Sequence, residues 1–194
     1  MRKLVAVLGL MAAMALPTPA ATSQWNIDPA HSTAQFDVLH LEITDVDGTF
    51  SKVSGSATID DDDLSKSRVT ATIETNSIDS GISMRDDDLK SSNFLDVATY
   101  PTMTFQSTKI WKTGDAAAKM TGNLTLHGVT KEVTFDVKVP APTVNQTGAR
   151  RSAEATATIS RKDFGITADP VAVGDDVSIT LEVEFVKAGG APGH

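Results

Sequence analysis

The 194-residue sequence contains no cysteine and few aromatic residues, which make up only 5% of the chain. Without cysteine, a disulfide framework, a thiol nucleophile and a thiolate zinc or iron–sulfur site are all excluded. Basic residues are also scarce, since 17 lysines and arginines stand against 25 aspartates and glutamates. The resulting net charge of −8 disfavours a nucleic-acid partner. The chain lacks the G-x-S-x-G, H-E-x-x-H, Walker A and G-x-G-x-x-G signatures as well, so we expect neither an enzyme nor a cofactor.

The first 21 residues have the pattern of a secretory signal peptide. Arg2 and Lys3 give a positive start, and an uncharged apolar run of 13 residues occupies positions 4–16. Small and turn-forming residues follow, which predicts cleavage near Ala20 or Ala21. A membrane-spanning helix needs about 20 apolar residues, so this run is too short for a stable anchor. We therefore expect residues 1–21 to be removed and the protein to be periplasmic.

Alternation of apolar and polar residues dominates the rest of the chain and is typical of half-buried antiparallel strands. The longest example runs from Val177 to Phe185. Turn residues separate the alternating segments, among them Asp47-Gly48, His127-Gly128 and Gly174-Asp175. The predicted strands cover residues 33–42, 50–60, 67–76, 102–111, 117–126, 131–139, 151–160 and 176–187.

Residues 80–100 interrupt this alternation. The segment from Met84 to Lys90 has no strand periodicity, and Ser83 precedes Asp86 at the spacing of a capping box. We predict one short helix here, followed by a loop. The folded domain is expected over residues 22–187, and the Gly- and Pro-containing residues 188–194 are expected to form a disordered tail.

Antiparallel strands with one apolar face each can form a sandwich or close into a barrel. A barrel of about eight strands is just wide enough to be filled by side chains or to hold one small ligand. Several residues predicted to face inward are small, which indicates unfilled volume unless the strands approach closely there. These residues are Ala34, Ala57, Ala71, Ala153, Ala155 and Ala157.

Several blocks of the sequence, in order, resemble the YceI-like polyisoprenoid-binding proteins. The blocks are W-N-I-D-P-A-H-S at 25–32, G-T-F at 48–50, M-R-D at 84–86, F-L-D at 94–96, G-N-L-T-L-H-G-V-T at 122–130, S-R-K-D-F-G-I at 160–166 and G-D-D-V at 174–177. The resemblance implies an all-β fold, an extended lipocalin-like eight-stranded antiparallel β-barrel with a short helical insertion. It also implies an exported soluble protein that carries a polyisoprenoid or similar long-chain amphiphilic lipid in its lumen. Some relatives are linked to stress response.

Apolar residues on the predicted inner faces are candidates for the wall of such a lumen. A dry lumen can bind a long tail strongly, because each buried CH₂ group contributes about 0.8 kcal/mol. Each residue could equally be an ordinary member of the core. The candidates are Phe36, Val38, Phe50, Ile73, Leu89, Phe94, Phe105, Leu126 and Phe135.

Three residues are candidates for contact with a lipid head group. His40 falls on the apolar face of its predicted strand, and imidazole can donate a hydrogen bond to a hydroxyl or phosphate. Arg85 could meet an anionic group, or it could pair with Asp86 or another acid and fix the helix. Arg161 is the third, because a diphosphate head group would need basic residues nearby.

Two other functions stay open on the sequence. One is an envelope stress or interaction protein whose barrel is filled by side chains, with an exposed apolar patch. The other is an enzyme acting on isoprenoid quinone precursors, which would need a polar constellation in the lumen. A homodimer is open as well. No metal is expected, because His31, His40 and His127 have neither ligand spacing nor acidic companions at motif distance.

Overall fold

A computed structural model of the protein describes residues 22–140, 143–145 and 148–189. The predicted signal peptide and residues 190–194 of the predicted tail lie outside these ranges. The described chain forms one α-helix, α1 (Ser83–Lys90), and a series of β-strands. The strands are β1 (Ser23–Ile27), β2 (Thr33–His40), β3 (Thr44–Phe50), β4 (Val53–Ile59), β5 (Arg68–Glu74), β6 (Ile78–Asp79), β7 (Thr102–Gly114), β8 (Ala117–Leu126), β9 (Val129–Lys138), β10 (Thr143–Asn145), β11 (Gly148–Ser160) and β12 (Val173–Lys187).

The strands close into an antiparallel barrel. β1 and β2 share the same partner, β12, and act as one bent strand, as do β3 with β4 and β5 with β6. From there the sheet continues through β7, β8, β9 and β11. β11 then pairs with β12 over its whole length and closes the ring. Counted this way the barrel has eight strands, which confirms the predicted fold and excludes a sandwich.

Burial along the strands follows the period of two that the sequence shows. In β8 Ala118, Met120, Gly122, Leu124 and Leu126 are buried, and the residues between them are more exposed. Successive side chains of a strand point to opposite faces, so each strand places its apolar set inside the ring. The core therefore lies in the barrel interior.

The connection between β2 and β3 differs from the prediction. Asp47-Gly48, predicted as a turn, lies inside β3, and the chain turns instead at Leu41 and Glu42. Both of these residues have positive φ angles, 51° and 57°, as the central residues of a type I′ turn require, and the N–H of Ile43 donates back to the carbonyl of His40 at 3.1 Å. The prediction is wrong because Gly48 allows close packing within the strand and does not form a bend. The predicted strands also omit β1.

A second predicted turn, Gly174-Asp175, is wrong for a related reason. It lies inside β12, where the pairing with β2 shifts register between Val173 and Val177. The shift is a bulge, which bends a strand without ending it. The predicted turn at His127-Gly128 is confirmed, since both residues have positive φ and join β8 to β9.

The predicted helix is present as α1, but the predicted capping box is wrong. Ser83 is the first helical residue, and Ile82 before it provides no side-chain cap. Asp86 turns back to Ser80 instead, accepting from its backbone N–H at 2.8 Å and from its hydroxyl at 2.5 Å. β6, which precedes α1, runs toward the β2–β3 turn. We call this end of the barrel the α1 end; it also holds the β8–β9 turn and the 3₁₀ turn Arg161–Phe164.

Candidate functional site

The barrel contains a cavity of about 180 Å³. Its lining is almost wholly aliphatic and aromatic, and only Gln35, Thr104 and Arg161 carry polar side chains. An apolar cavity of this kind stays dry, because water needs polar partners to enter it. The arrangement therefore suits an apolar guest and offers little to a polar one.

All nine predicted wall residues line this cavity. Seven stand on strands, Leu89 lies on α1, and Phe94 lies in the loop after α1. The alternation accounts for the seven strand residues, because each occupies an inward position of its strand, but it does not account for Leu89 and Phe94. That they contact a ligand stays a prediction.

The wall candidates omit one whole side of the cavity. Besides Val173, β12 contributes four alternate residues to the lining, Val177, Ile179, Leu181 and Val183. The signal for them is present in the sequence, since they belong to the longest alternating segment of the chain. The small-residue argument is right only in part: Ala34 and Ala71 line the cavity, but other inward alanines do not.

The cavity does not run through the whole barrel. Core side chains fill the half away from α1; they are buried but do not line the cavity, and they include Trp25, Ile27, Ala57, Ile110, Ala118 and Met120. At the other extreme the lining reaches Leu95, Ile166 and Val173, close to the α1 end. The site is therefore a blind apolar tunnel directed toward α1.

Arg151 covers the filled half at the end of the barrel away from α1, through stacking and an ion pair. The guanidinium of Arg151 lies 4.7 Å from the ring centre of Trp25. The same guanidinium makes two hydrogen bonds of 2.7 Å to the carboxylate of Asp61. Because both contacts hold a planar group in place, they fix the buried indole at this end.

Arg161 is the one charged residue of the lining, and its exposed fraction is only 4%. Its guanidinium donates to four backbone carbonyls, of Gly174 at 2.8 Å, Ile166 at 3.1 Å, Ala168 at 2.7 Å and Val173 at 2.8 Å. A guanidinium carries five N–H groups, so these bonds account for all but one. Arg161 therefore ties the loop before β12 to the end of β11.

The structure does not bring the other two head-group candidates into the cavity lining. His40 ends β2, opposite Thr44 and Val173. Arg85 donates to the hydroxyl of Ser80 at 2.8 Å and to its carbonyl at 2.5 Å. Arg85 and Asp86 thus converge on Ser80, an arrangement that holds α1 to the preceding chain.

A separate cluster of Asp28, His31 and Glu184 lies on the outside, with ligand atoms within 4.8 Å of one another. Arg150 donates from Nη1 to Asp28 at 3.0 Å and to Glu184 as well. Burial would raise the pKa of Asp28, but hydrogen bonds from His31, Arg150 and a backbone N–H outweigh it and lower that pKa. The guanidinium bridges the two carboxylates and offsets one of their two negative charges, so the cluster serves as an ion-pair network.

Among the helices in the described ranges, none has the length and apolar character needed to cross a bilayer.

Comparison with known proteins extends these observations. The family described as YceI-like domain matches residues 25–185. A UPF0312 protein of Pseudomonas aeruginosa is 37% identical over 190 residues, which cover 96% of this chain and 99% of the relative. The crystal structure of Burkholderia cenocepacia BcnA is similar with a TM-score of 0.74 and 26% identity, over 81% of this chain and 98% of that one.

A more distant structure shares the fold. A polyisoprenoid binding domain from Saccharophagus degradans, implicated in plant cell wall breakdown, matches with a TM-score of 0.66 and 16% identity. The match covers 84% of this chain and 98% of that one.

Proposed function

This chain belongs to the YceI-like domain family, and we propose that it is an exported protein that binds and carries a polyisoprenoid or similar long-chain amphiphile in its barrel. The observation that carries the proposal is the blind, apolar tunnel. A tail inside it would leave water for an apolar lining, a transfer that contributes about 0.8 kcal/mol for each CH₂ group. The polyisoprenoid-binding domain named above shares this fold, which supports the same ligand class.

The tunnel also orients the ligand. The filled half of the barrel offers a head group no space and no polar partner. The tail would therefore point toward Trp25, and the head group would stay at the α1 end. Arg161 is the polar residue of the lining at that end, with one N–H left and a positive charge. We propose that it attracts the head group there, and that His40 and Arg85 act only if the head group extends beyond the cavity.

The size of the cavity sets a condition on a long ligand. Its volume of about 180 Å³ is close to the roughly 150 Å³ of a dry engineered cavity that binds benzene. A long chain must therefore displace the segment that carries Leu89, Phe94 and Leu95, or extend past it. The side-chain hydrogen bonds of α1 go to Ser80 just before the helix, and Leu89 is the residue of α1 that packs against the hydrophobic core, so this segment is the part best suited to move.

The proposal includes export to the periplasm as a mature protein that starts near Ala20 or Ala21. The positive start, the short apolar run and the small residues that follow support it. It assigns binding rather than catalysis as the main role, and the small number of polar side chains among the residues that line the tunnel supports this assignment.

A second candidate is an envelope interaction protein. The large apolar side chains that are exposed in the described ranges all lie at the α1 end: Leu39, Leu41, Ile43, Ile82, Met84 and Val171. Such a patch suits contact with another apolar surface. It is compatible with a carrier as well, since the same end would receive and release the ligand.

The test is mass spectrometry of the protein purified from its native host without detergent. We expect a native mass that exceeds the mature chain by one lipid, and an extracted isoprenoid. A fatty acid or amide would keep the carrier function and change the ligand. Protein that stays free of lipid, even after incubation with isoprenoid vesicles, would contradict the proposal and favour the interaction protein.

A further inference from the structure

Two buried glycines of the barrel wall each lie beneath a phenylalanine ring. A Cβ atom added at Gly48 would lie 2.5 Å from Cζ and 2.6 Å from Cε1 of Phe36. A Cβ atom added at Gly122 would lie 2.5 Å from Cζ of Phe105 and 2.4 Å from the backbone carbonyl oxygen of Gln106. These separations are far below van der Waals contact, so each ring occupies the space where a side chain would begin.

Backbone conformation does not explain these glycines. Positive φ angles occur at other glycines of the described chain, but not at Gly48 or Gly122. Both stand inside regular strands, and Gly48 pairs directly with Phe36 across β2 and β3. An alanine could adopt such a backbone, so the need for glycine comes from the atoms that face it. At Gly48 these are chiefly the ring atoms of Phe36, and at Gly122 they are the ring of Phe105 and the carbonyl of Gln106.

Both rings face the cavity, and each has an aromatic neighbour. Phe36 lies with its ring centre 5.8 Å from that of Phe50, and Phe105 lies 5.2 Å from Phe135. All of these side chains line the cavity. With the sheet behind a ring and another ring beside it, the direction left for a displaced ring is the lumen.

We propose that Gly48 and Gly122 set the width of the lumen, by seating the rings of Phe36 and Phe105 against the wall, and so admit a single apolar chain. A phenyl ring has the size of benzene, and a cavity of about 150 Å³ holds one benzene. A ring that turned into the lumen would therefore take up most of its 180 Å³. The identity of the guest as a lipid chain rests on the proposed function, but the packing of the two rings over the glycines does not.

The test uses the mature protein and Gly48→Ala, with Gly114→Ala as the matched control. Gly114 is also a strand glycine, and a Cβ there would meet only the Cβ of Ala117 at an ordinary 3.5 Å. Two probes are measured: xenon bound in pressurised crystals, and farnesol binding by native mass spectrometry and calorimetry. Xenon occupancy measures the free space in the lumen, and farnesol affinity measures whether an isoprenoid chain can occupy that space.

We expect Gly48→Ala to lose xenon occupancy in the lumen and to bind farnesol about tenfold more weakly or worse, the effect of about 1.4 kcal/mol. The double variant Gly48→Ala/Phe36→Ala should regain both, because it has no ring to displace. If Gly48→Ala alone does not fold, the double variant still tests the inference. Gly114→Ala should behave as the parent protein does.

Equal xenon occupancy and equal farnesol affinity in Gly48→Ala and the parent would overturn the inference and leave the proposed function intact. Xenon lost in Gly48→Ala, with no farnesol bound by the parent protein, would support the inference about width. That result would count against the proposed function alone.

Discussion

The ring of Phe105 meets the ring of Phe135 nearly at a right angle, with 82° between their planes and 5.2 Å between their centres. The two residues stand on β7 and β9, on either side of β8, so their contact reaches across one strand of the wall. Edge-to-face pairs of this kind contribute about 0.5–1.5 kcal/mol beyond the area they bury. The pair fixes the inner surface beside Gly122.

Phe135 is the more deeply buried of the two, and its replacement should test the inner wall. We expect Phe135→Ala to lower the free energy of unfolding by about 3–5 kcal/mol, since it removes a buried ring and leaves a cavity. Phe135→Asp should fail to fold or lose lipid, because the carboxylate would have no partner. Urea unfolding measures the stability of Phe135→Ala, and lipid extraction measures the lipid that Phe135→Asp retains. Thr134→Asp, on the exposed face, is the control; a folded Phe135→Asp that retains lipid would mean that this residue does not face the ligand.

Arg161 should contribute to stability through the four carbonyls that it binds. Arg161→Met leaves those carbonyls without their donor, and we expect a loss of about 3 kcal/mol in the free energy of unfolding. Lys162→Met, at the exposed neighbouring position, should change it by less than about 0.5 kcal/mol. Denaturant titration of both variants makes the comparison. Unchanged stability of Arg161→Met would assign the residue to the ligand rather than to the loop.

Asp86 should hold α1 in a pH-dependent way. The hydroxyl of Ser80 is the largest cause that lowers the pKa of Asp86, and burial opposes it. A carboxyl with a lowered pKa in the folded state stabilises above its unfolded pKa of about 3.9, and that contribution is lost as the pH falls further. Hydrogen exchange of residues 83–90 should therefore accelerate as the pH falls below about 4, after correction for the intrinsic rate.

Asp86→Asn should loosen α1 already at neutral pH, by about 1 kcal/mol of local opening free energy. Asp87→Asn, whose side chain is exposed, serves as the control. If the two variants exchange equally fast over residues 83–90, the contact with Ser80 does not anchor the helix.

Arg151 should stabilise the filled half of the barrel without affecting the guest. Arg151→Gln removes both the stacking on Trp25 and the paired bonds to Asp61, and we expect a loss of about 1–2 kcal/mol in unfolding free energy. Affinity for farnesol should stay within about twofold, because the tunnel ends before Trp25. Tryptophan fluorescence during unfolding, together with calorimetry, checks both. A large loss of affinity would show that the tunnel reaches this end.

Local pattern was enough to predict which residues face the interior. The seven wall candidates on strands line the cavity because a period of two depends only on the pleat of each strand. Local pattern was wrong for the two turns predicted at Asp47-Gly48 and Gly174-Asp175. Gly48 and Gly174 have the composition of turn residues, but packing against Phe36 on a neighbouring strand and a bulge in β12 account for them.

By itself the sequence determined an antiparallel β protein with these inward faces, one short helix, and the motifs of its family. Only the tertiary structure decided where the interior is hollow. Ala34 and Ala71 border the tunnel whereas Ala57 and Ala155 are packed in the core, although all four occupy inward positions. Their depth along the barrel depends on the register between strands that are far apart in the chain. The four carbonyls around Arg161 meet for the same reason, because closure of the barrel brings them together.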